Sequence, residues 1–195
     1  SLSAGALLYI GNRLQGNAGF FPGIDLGWQL SRYLRWHASV GRALRLPTFT
    51  DLFYSGPVNR GNPELSPEHA IHYETGLTSE RNGWRIDFVL FARDGKNMID
   101  WVRYPEEEIW QSMNHGRVLI SGVESGLVYS SASGNDMALT EFSLHYSYVH
   151  VTTDALGMVS NYALDHLRHK VDAGMQMQLS TKLQLSVQLS YAQRA

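Results

Sequence analysis

Cysteine is absent from the 195 residues, which excludes disulfide frameworks, thiol nucleophiles and every cysteine-ligated zinc or iron–sulfur site. A cysteine-free chain suits any compartment, so redox location stays open. A basic excess is also missing: 16 Lys+Arg stand against 18 Asp+Glu, and the pI is near 6.4. Nucleic acid is therefore disfavoured as a partner, because its binders neutralise phosphates with clustered cations. No run reaches the roughly 18–20 consecutive apolar residues of a membrane-spanning helix, and Ser1 to Ile10 lacks the basic start and cleavage site of a signal peptide. The first residue is not Met, so a longer parent is expected. Catalytic signatures are missing too: no Gly-x-Ser-x-Gly, no phosphate-cradling glycine loop, no His-Glu-x-x-His. Carboxylates such as Asp94 and Asp100 are too ordinary a pair to nominate a glycosidase, and the chain is expected to be neither an enzyme nor a holder of a cofactor. What remains is a chain with 44% hydrophobic and 17% charged residues, within the range of folded protein rather than disordered tail.

What is present is period-two alternation, the mark of strands with one dry and one wet face. Leu183, Leu185, Val187, Leu189 and Tyr191 alternate with Gln184, Ser186, Gln188 and Ser190. Val171, Ala173, Met175, Met177 and Leu179 repeat the pattern before a tight turn at Ser180-Thr181. Phe142, Leu144, Tyr146 and Tyr148 do so again, as do Trp84, Ile86, Phe88 and Leu90. Turn signals place about nine strands near 2–11, 22–30, 34–43, 69–79, 84–103, 109–129, 137–152, 163–179 and 182–193, with no convincing helix. Short connections at Ser31-Arg32-Tyr33, Arg81-Asn82-Gly83, Ser130 to Asp136 and Ser180-Thr181 alternate with mostly longer ones at Asn12 to Phe21, Ala43 to Glu68 and Thr152 to Tyr162. Successive antiparallel strands reverse direction, so the short turns share one rim and the long loops the other, as in outer-membrane barrels. No domain boundary interrupts the chain, and residues 1–195 read as one unit.

Two architectures fit a sheet with one apolar face. In a soluble β-sandwich, perhaps a carbohydrate-binding module, that face packs on a second sheet; in a membrane barrel it meets lipid. Two details favour lipid. Trp28, Trp36, Trp84 and Tyr129 fall on apolar faces near the short-turn rim, as an interfacial aromatic girdle requires. The stretches 84–103 and 109–129 also far exceed ordinary globular strands, yet suit a tilted crossing of a bilayer.

The segment Arg42 to Leu77 carries the most specific pattern. Arg45, Pro47, Thr48, Phe49, Asp51, Leu52 and Tyr54 are followed by Gly61, Asn62, Pro63, Leu65, Pro67 and Glu68, then by Glu74, Gly76 and Leu77. In this order they closely resemble the barrel of TonB-dependent outer-membrane receptors. Lys96 to Trp101, Trp110, Asn114 and Gly122-Val123-Glu124 resemble the next hairpin of that family, in its cobalamin and siderophore branch. Pro47 and Pro63 lack an NH donor and restrict the residues before them, so this stretch must leave the ladder as a fixed irregular loop. Glu68 and Glu74 are expected to pair with strand arginines such as Arg42 or Arg45.

The resemblance implies an all-β, antiparallel up-and-down meander, part of a barrel of about 22 strands. About nine strands are fewer than half of that and cannot close in the usual even-stranded way, so free edges are expected near Leu2 and Gln193. The chain is thus expected to be a central barrel fragment without the family's plug domain, early strands and last strands. The resemblance further implies a Gram-negative outer-membrane location, membrane lipid as a neighbour, and a scarce small-molecule nutrient as ligand: cobalamin first, a ferric siderophore or haem second. The TonB-type energy-transducing protein would be met through an N-terminal region of the parent, and the fragment's open edges could self-associate.

Eight histidines invite a metal. His145 and His150 fall on opposite faces of a strand, however, and His166 and His169 diverge if extended, so no ligand set is expected. Glu106-Glu107-Glu108 reads as a solvated loop rather than a calcium cage. For ligand contact, the aromatics at the long-loop rim, Tyr54, Trp101, Tyr104 and Trp110, are the candidates; the alternative is that they pack the loops against each other.

Overall fold

In the computed structural model the described residues are 1–11, 18–131, 138–153, 159–160 and 166–194. They form β1 (Leu2–Ile10), β2 (Ala18–Gln29), β3 (Leu34–Arg45), α1 (Phe49–Phe53), β4 (Asn59–Arg60), β5 (Glu68–Arg81), β6 (Trp84–Arg103), β7 (Trp110–Ser130), β8 (Ala138–Thr153), β9 (Val159–Ser160), β10 (Leu167–Ser180) and β11 (Leu183–Arg194). The long strands pair antiparallel with their neighbours in chain order, β1-β2-β3-β5-β6-β7-β8-β10-β11, an up-and-down meander. The two-residue strands sit off this path, β4 beside β7 and β9 beside β6. Parts of the expected connections (12–17, 132–136, 154–158, 161–162), position 137 and the first residues of the expected 163–179 strand lie outside the described residues.

The alternation becomes two faces through the register. Trp28 pairs with Trp36, Trp36 with Leu77, Leu77 with Phe88, and Phe88 with Ser125. Phe142 pairs with Met175, and Met175 with Val187. Paired residues share a face, so one apolar surface runs unbroken from β2 to β11. It is open: Trp28 is 67% exposed and Leu189 68%. The described strands make a single sheet, so the sandwich alternative, which needs a second sheet over this face, is not the fold.

At the short-turn end the backbone follows turn chemistry. Asn82 and Gly83 both have positive φ (52° and 80°), which suits the two-residue turn between β5 and β6. A side chain at Gly83 would meet the Ser130 carbonyl oxygen at 2.4 Å. Trp84 packs against Tyr129 with ring centroids 4.8 Å apart and the rings tilted by 42°, and Trp36 donates its indole N–H to Thr75 Oγ1 at 3.0 Å. The aromatics expected at this rim therefore stand in paired positions on the apolar face.

Three expectations need correction. β2 begins at Ala18 rather than 22, because Pro22 does not end the strand: it lies opposite Ala6 in an unbroken β1–β2 register. The expected absence of helix is overturned by α1, one turn too short to show a helical period. Its trace in the sequence is the cap, Thr48 three residues before Asp51. Among the described residues Glu74 meets no arginine: it lies near His37 Nε2 (3.6 Å) and His72 Nε2 (3.4 Å). Arg42 registers with Ile71 on the opposite face, and Arg45 lies six register steps away, opposite Glu68.

Candidate functional site

The polar face and the long-loop rim carry whatever the sheet can do chemically, and the loop 46–67 frames them. Thr48, extended at φ −75° and ψ 165°, starts α1. Its Oγ1 accepts from Asp51 N (3.1 Å), while Asp51 Oδ2 accepts from Thr48 N (2.9 Å), a reciprocal cap. The same Asp51 carboxylate lies 3.3 Å from Arg45 Nη2, and Arg45 Nη1 donates to Glu68 Oε1. Glu68, 3% exposed, also accepts from Ile99 N at 2.8 Å. One buried carboxylate thus joins the end of β3, the start of β5 and the last part of β6.

Asn62 and Pro63 turn the chain back. Asn62 N donates to the Asp51 carbonyl (2.9 Å) and Asn62 Oδ1 accepts from Glu64 N (2.9 Å), a local turn in which Pro63 needs no donor. A Cβ at Gly61 would stand 2.9 Å from the backbone of Leu52 and Phe53, so only glycine fits there without movement. Pro67 is buried at the entry to β5. Asn114 then fastens the far side: its Oδ1 accepts from Ser66 N (2.8 Å), and its Nδ2 donates to Ser66 O (2.9 Å) and Asn97 O (2.8 Å). Leu52, Leu65 and Ile99 make a buried apolar cluster beneath. The segment expected as a fixed irregular loop is therefore held by side chains from β3, β5 and β7.

The rim aromatics divide. Trp101 is 7% exposed and takes the edge of Tyr54 at 6.3 Å, so it packs the loop. Tyr54 and Tyr104 remain about half exposed. Trp110 lies under the Arg103 guanidinium (5.3 Å), and its backbone N–H donates to the Val58 carbonyl (2.8 Å). Phe49 projects outward beside Phe53 (5.1 Å). The structure brings Tyr54 to Trp101 but joins neither to Tyr104.

Among the grooves on the polar face, two adjoin the residues singled out above. One, of about 510 Å³, is lined by Arg45, Glu68, Arg93, Met98, Asp100 and His166 among others. Both ring nitrogens of His166 are buried there without a hydrogen bond. The other, of about 610 Å³ toward the short-turn rim, is lined by Asp25, Arg35, His37, Glu74, Glu80 and Arg85 among others. Among the described residues no three His, Asp or Glu side chains are placed to hold a metal ion. Sequence reasoning missed Asp100 and Ser112, both almost fully buried on β6 and β7. Polar residues on long strands read as exposed, and only tertiary contacts bury these two.

A single twisted meander with one open apolar face, one polar face and long loops on alternate connections defines the wall of a transmembrane β-barrel. The chain belongs to the TonB dependent receptor-like, beta-barrel family, whose model matches residues 7–194. It is a family of transport receptors, not enzymes, found in the Gram-negative outer membrane. The chain is similar to the vitamin B12 transporter BtuB of Vibrio vulnificus (strain YJ016), with 32% identity over 101 residues, 52% of this chain and 16% of that protein. Among solved structures it resembles a ferric enterobactin receptor mutant, PfeA, from Pseudomonas aeruginosa in complex with enterobactin (TM-score 0.76, 19% identity, 98% of this chain, 30% of that one). It also resembles the siderophore receptor PirA from Pseudomonas aeruginosa (TM-score 0.69, 19% identity, 98% and 34%). These structures bear on the fold, and the chain spans about a third or less of the length of each relative.

Proposed function

We propose that residues 1–195 form a partial β-barrel domain in the wall of an outer-membrane receptor, whose intact form binds a scarce large nutrient and imports it with energy delivered by a TonB-type protein. The open apolar face meets lipid and the polar face lines the lumen. Import by such a receptor is a cycle of binding and release in which no covalent bond changes. Cobalamin is the first ligand, supported by the one observation that reaches beyond fold: the 32% identity to a vitamin B12 transporter. A ferric siderophore is the second, supported by the likeness to siderophore receptors at 19% identity, and haem is kept with it. Exposed Tyr54 and Tyr104 are the aromatics free to touch a ligand at the rim, while Trp101 holds the loop beneath them. Arg45, Pro47, Thr48, Phe49, Asn62, Pro63, Pro67, Glu68 and Glu74 serve structure rather than ligand.

The test is calorimetric binding to the intact receptor in detergent. Cyanocobalamin is expected to bind, and a ferric catecholate siderophore is not. Siderophore binding without cobalamin binding would reverse the order, and binding of neither would remove both.

A further inference from the structure

Above the wall, β6 and β7 run on as a two-stranded ribbon. β5 leaves β6 where His69 registers with Lys96, and β8 leaves β7 where Val118 registers with Thr153, while β6 and β7 stay paired as far as Val102 and Gln111. A two-stranded ribbon standing alone in water is marginal at best and wet on both faces. This one is dry on both. Ile99, Trp101 and Ser112 are buried on one face, and Asp100 and Val102 are buried on the other.

The edges of the ribbon show how it is held. In the wall, the outer edge of β6 belongs to β5 and the outer edge of β7 to β8. In the ribbon the two sides are exchanged. β7 takes β4, from the connection between β3 and β5, with Asn59 beside Trp110 and Arg60 beside Gln111. β6 takes β9, from the connection between β8 and β10, with Ser160 beside Val102 and Val159 beside Arg103. Each connection must therefore cross the ribbon to reach the edge it pairs with. For 46–67 the crossing is marked by its contacts: Leu52 and Leu65 lie with Ile99, Tyr54 meets Trp101, and Ser66 is bonded to Asn114. From the other connection, His166 lines one groove with Asp100.

We infer that the β3–β5, β6–β7 and β8–β10 connections form one cooperative body at the long-loop rim, with the ribbon as its shared core. The ribbon cannot stand alone, so loosening the clasp on one edge loosens the ribbon, and with it the connection that clasps the other edge. Tyr54 and Tyr104 lie in different connections of this body, and a ligand resting on either one orders both. That consequence rests on the receptor reading, whereas the coupling itself rests on the pairing alone.

The experiment is amide hydrogen exchange on the intact receptor in detergent, with no ligand present, so its outcome is separate from that of the receptor reading. Val159 is exposed, and Val159→Pro removes a backbone donor from β9 and restricts its φ without emptying a core. The Asn62 and Ser66 amides, bonded to the Asp51 carbonyl and Asn114 Oδ1 in the opposite connection and the ribbon, should then exchange about tenfold faster. In the reverse direction, Leu65→Ala empties part of the cluster under 46–67 and should speed the Val159 and Ser160 amides of β9 by about tenfold. Val89, in mid-β6, should exchange as in wild type in both variants. Either variant is decisive by itself, should the other fail to fold. Faster exchange confined to the connection that carries the substitution would overturn the coupling.

Discussion

Glu68 is the joint on which the loop 46–67 depends, and its removal tests the account of that loop. In Glu68→Ala the buried Ile99 N–H loses its acceptor, which costs about 1–3 kcal/mol. The Arg45 contact is charge-assisted, but the Arg45 side chain is 46% exposed and can turn to water, so we assign it about 1 kcal/mol rather than the 3–5 of a fully buried pair. The sum, about 3 kcal/mol, is local: it should open the loop against β6 without unfolding the sheet. Amide hydrogen exchange on the intact receptor reads this directly. Ile99 and Ser66 should each lose protection by about 100-fold, since about 1.4 kcal/mol is tenfold and both amides report the same opening of the loop, while Val89 in mid-β6 should not change. Glu68→Gln keeps an acceptor for Ile99 and should lose only about tenfold. If Glu68→Ala leaves Ile99 exchange within threefold of wild type, the carboxylate is not the joint and the reasoning fails.

Two further perturbations probe other levels of the structure. Gly61→Ala places a methyl 2.9 Å from the α1 backbone, so it should cost about 1–3 kcal/mol and show as faster exchange of Asn62 N, whose acceptor is the Asp51 carbonyl; unchanged exchange would mean that the turn yields freely. Phe88→Arg, on the apolar face, should cost about 2–4 kcal/mol of folding in vesicles, whereas Val89→Arg, next along the strand and beside Glu124 across the ladder, should cost much less; equal losses would refute the assignment of lipid and lumen faces.

Most of the sheet could be read from the sequence because period two is redundant. β11 alternates over its whole length and β10 repeats it, so a one-residue slip would reverse both faces. The order of the strands was legible too: among the described residues the pairing path runs from β1, which holds Leu2, to β11, which holds Gln193. What escaped is short or set by distant contacts. α1 has five residues, too few for a period, and β4 and β9 have two each, so only tertiary pairing defines them. Glu74 escaped for a geometric reason. Its charge suggested an arginine, but the face and register of β5 decide the neighbour, and those place His37 and His72 beside it.

The candidate site shows the same division more sharply. Thr48, Asp51, Asn62 and Glu68 could be picked out through the resemblance to the family's loop motif, and Glu68 also by its expected arginine partner, whereas the cap of Thr48 and Asp51 and the turn at Asn62 are seen only in the structure. Trp101 and Tyr104 could not be told apart in that way. Both are aromatic, both lie near the long-loop rim, and only the loop's course covers one and leaves the other open. Under the proposed receptor function, the aromatics that the loop leaves exposed, Tyr54 and Tyr104, are the ones to vary first for ligand contact. The recognisable motif has a different task. Asp51, Asn62 and Glu68 are taken up in capping α1, turning the loop and joining it to β3 and β6, and Asn114 of β7 fastens the far side.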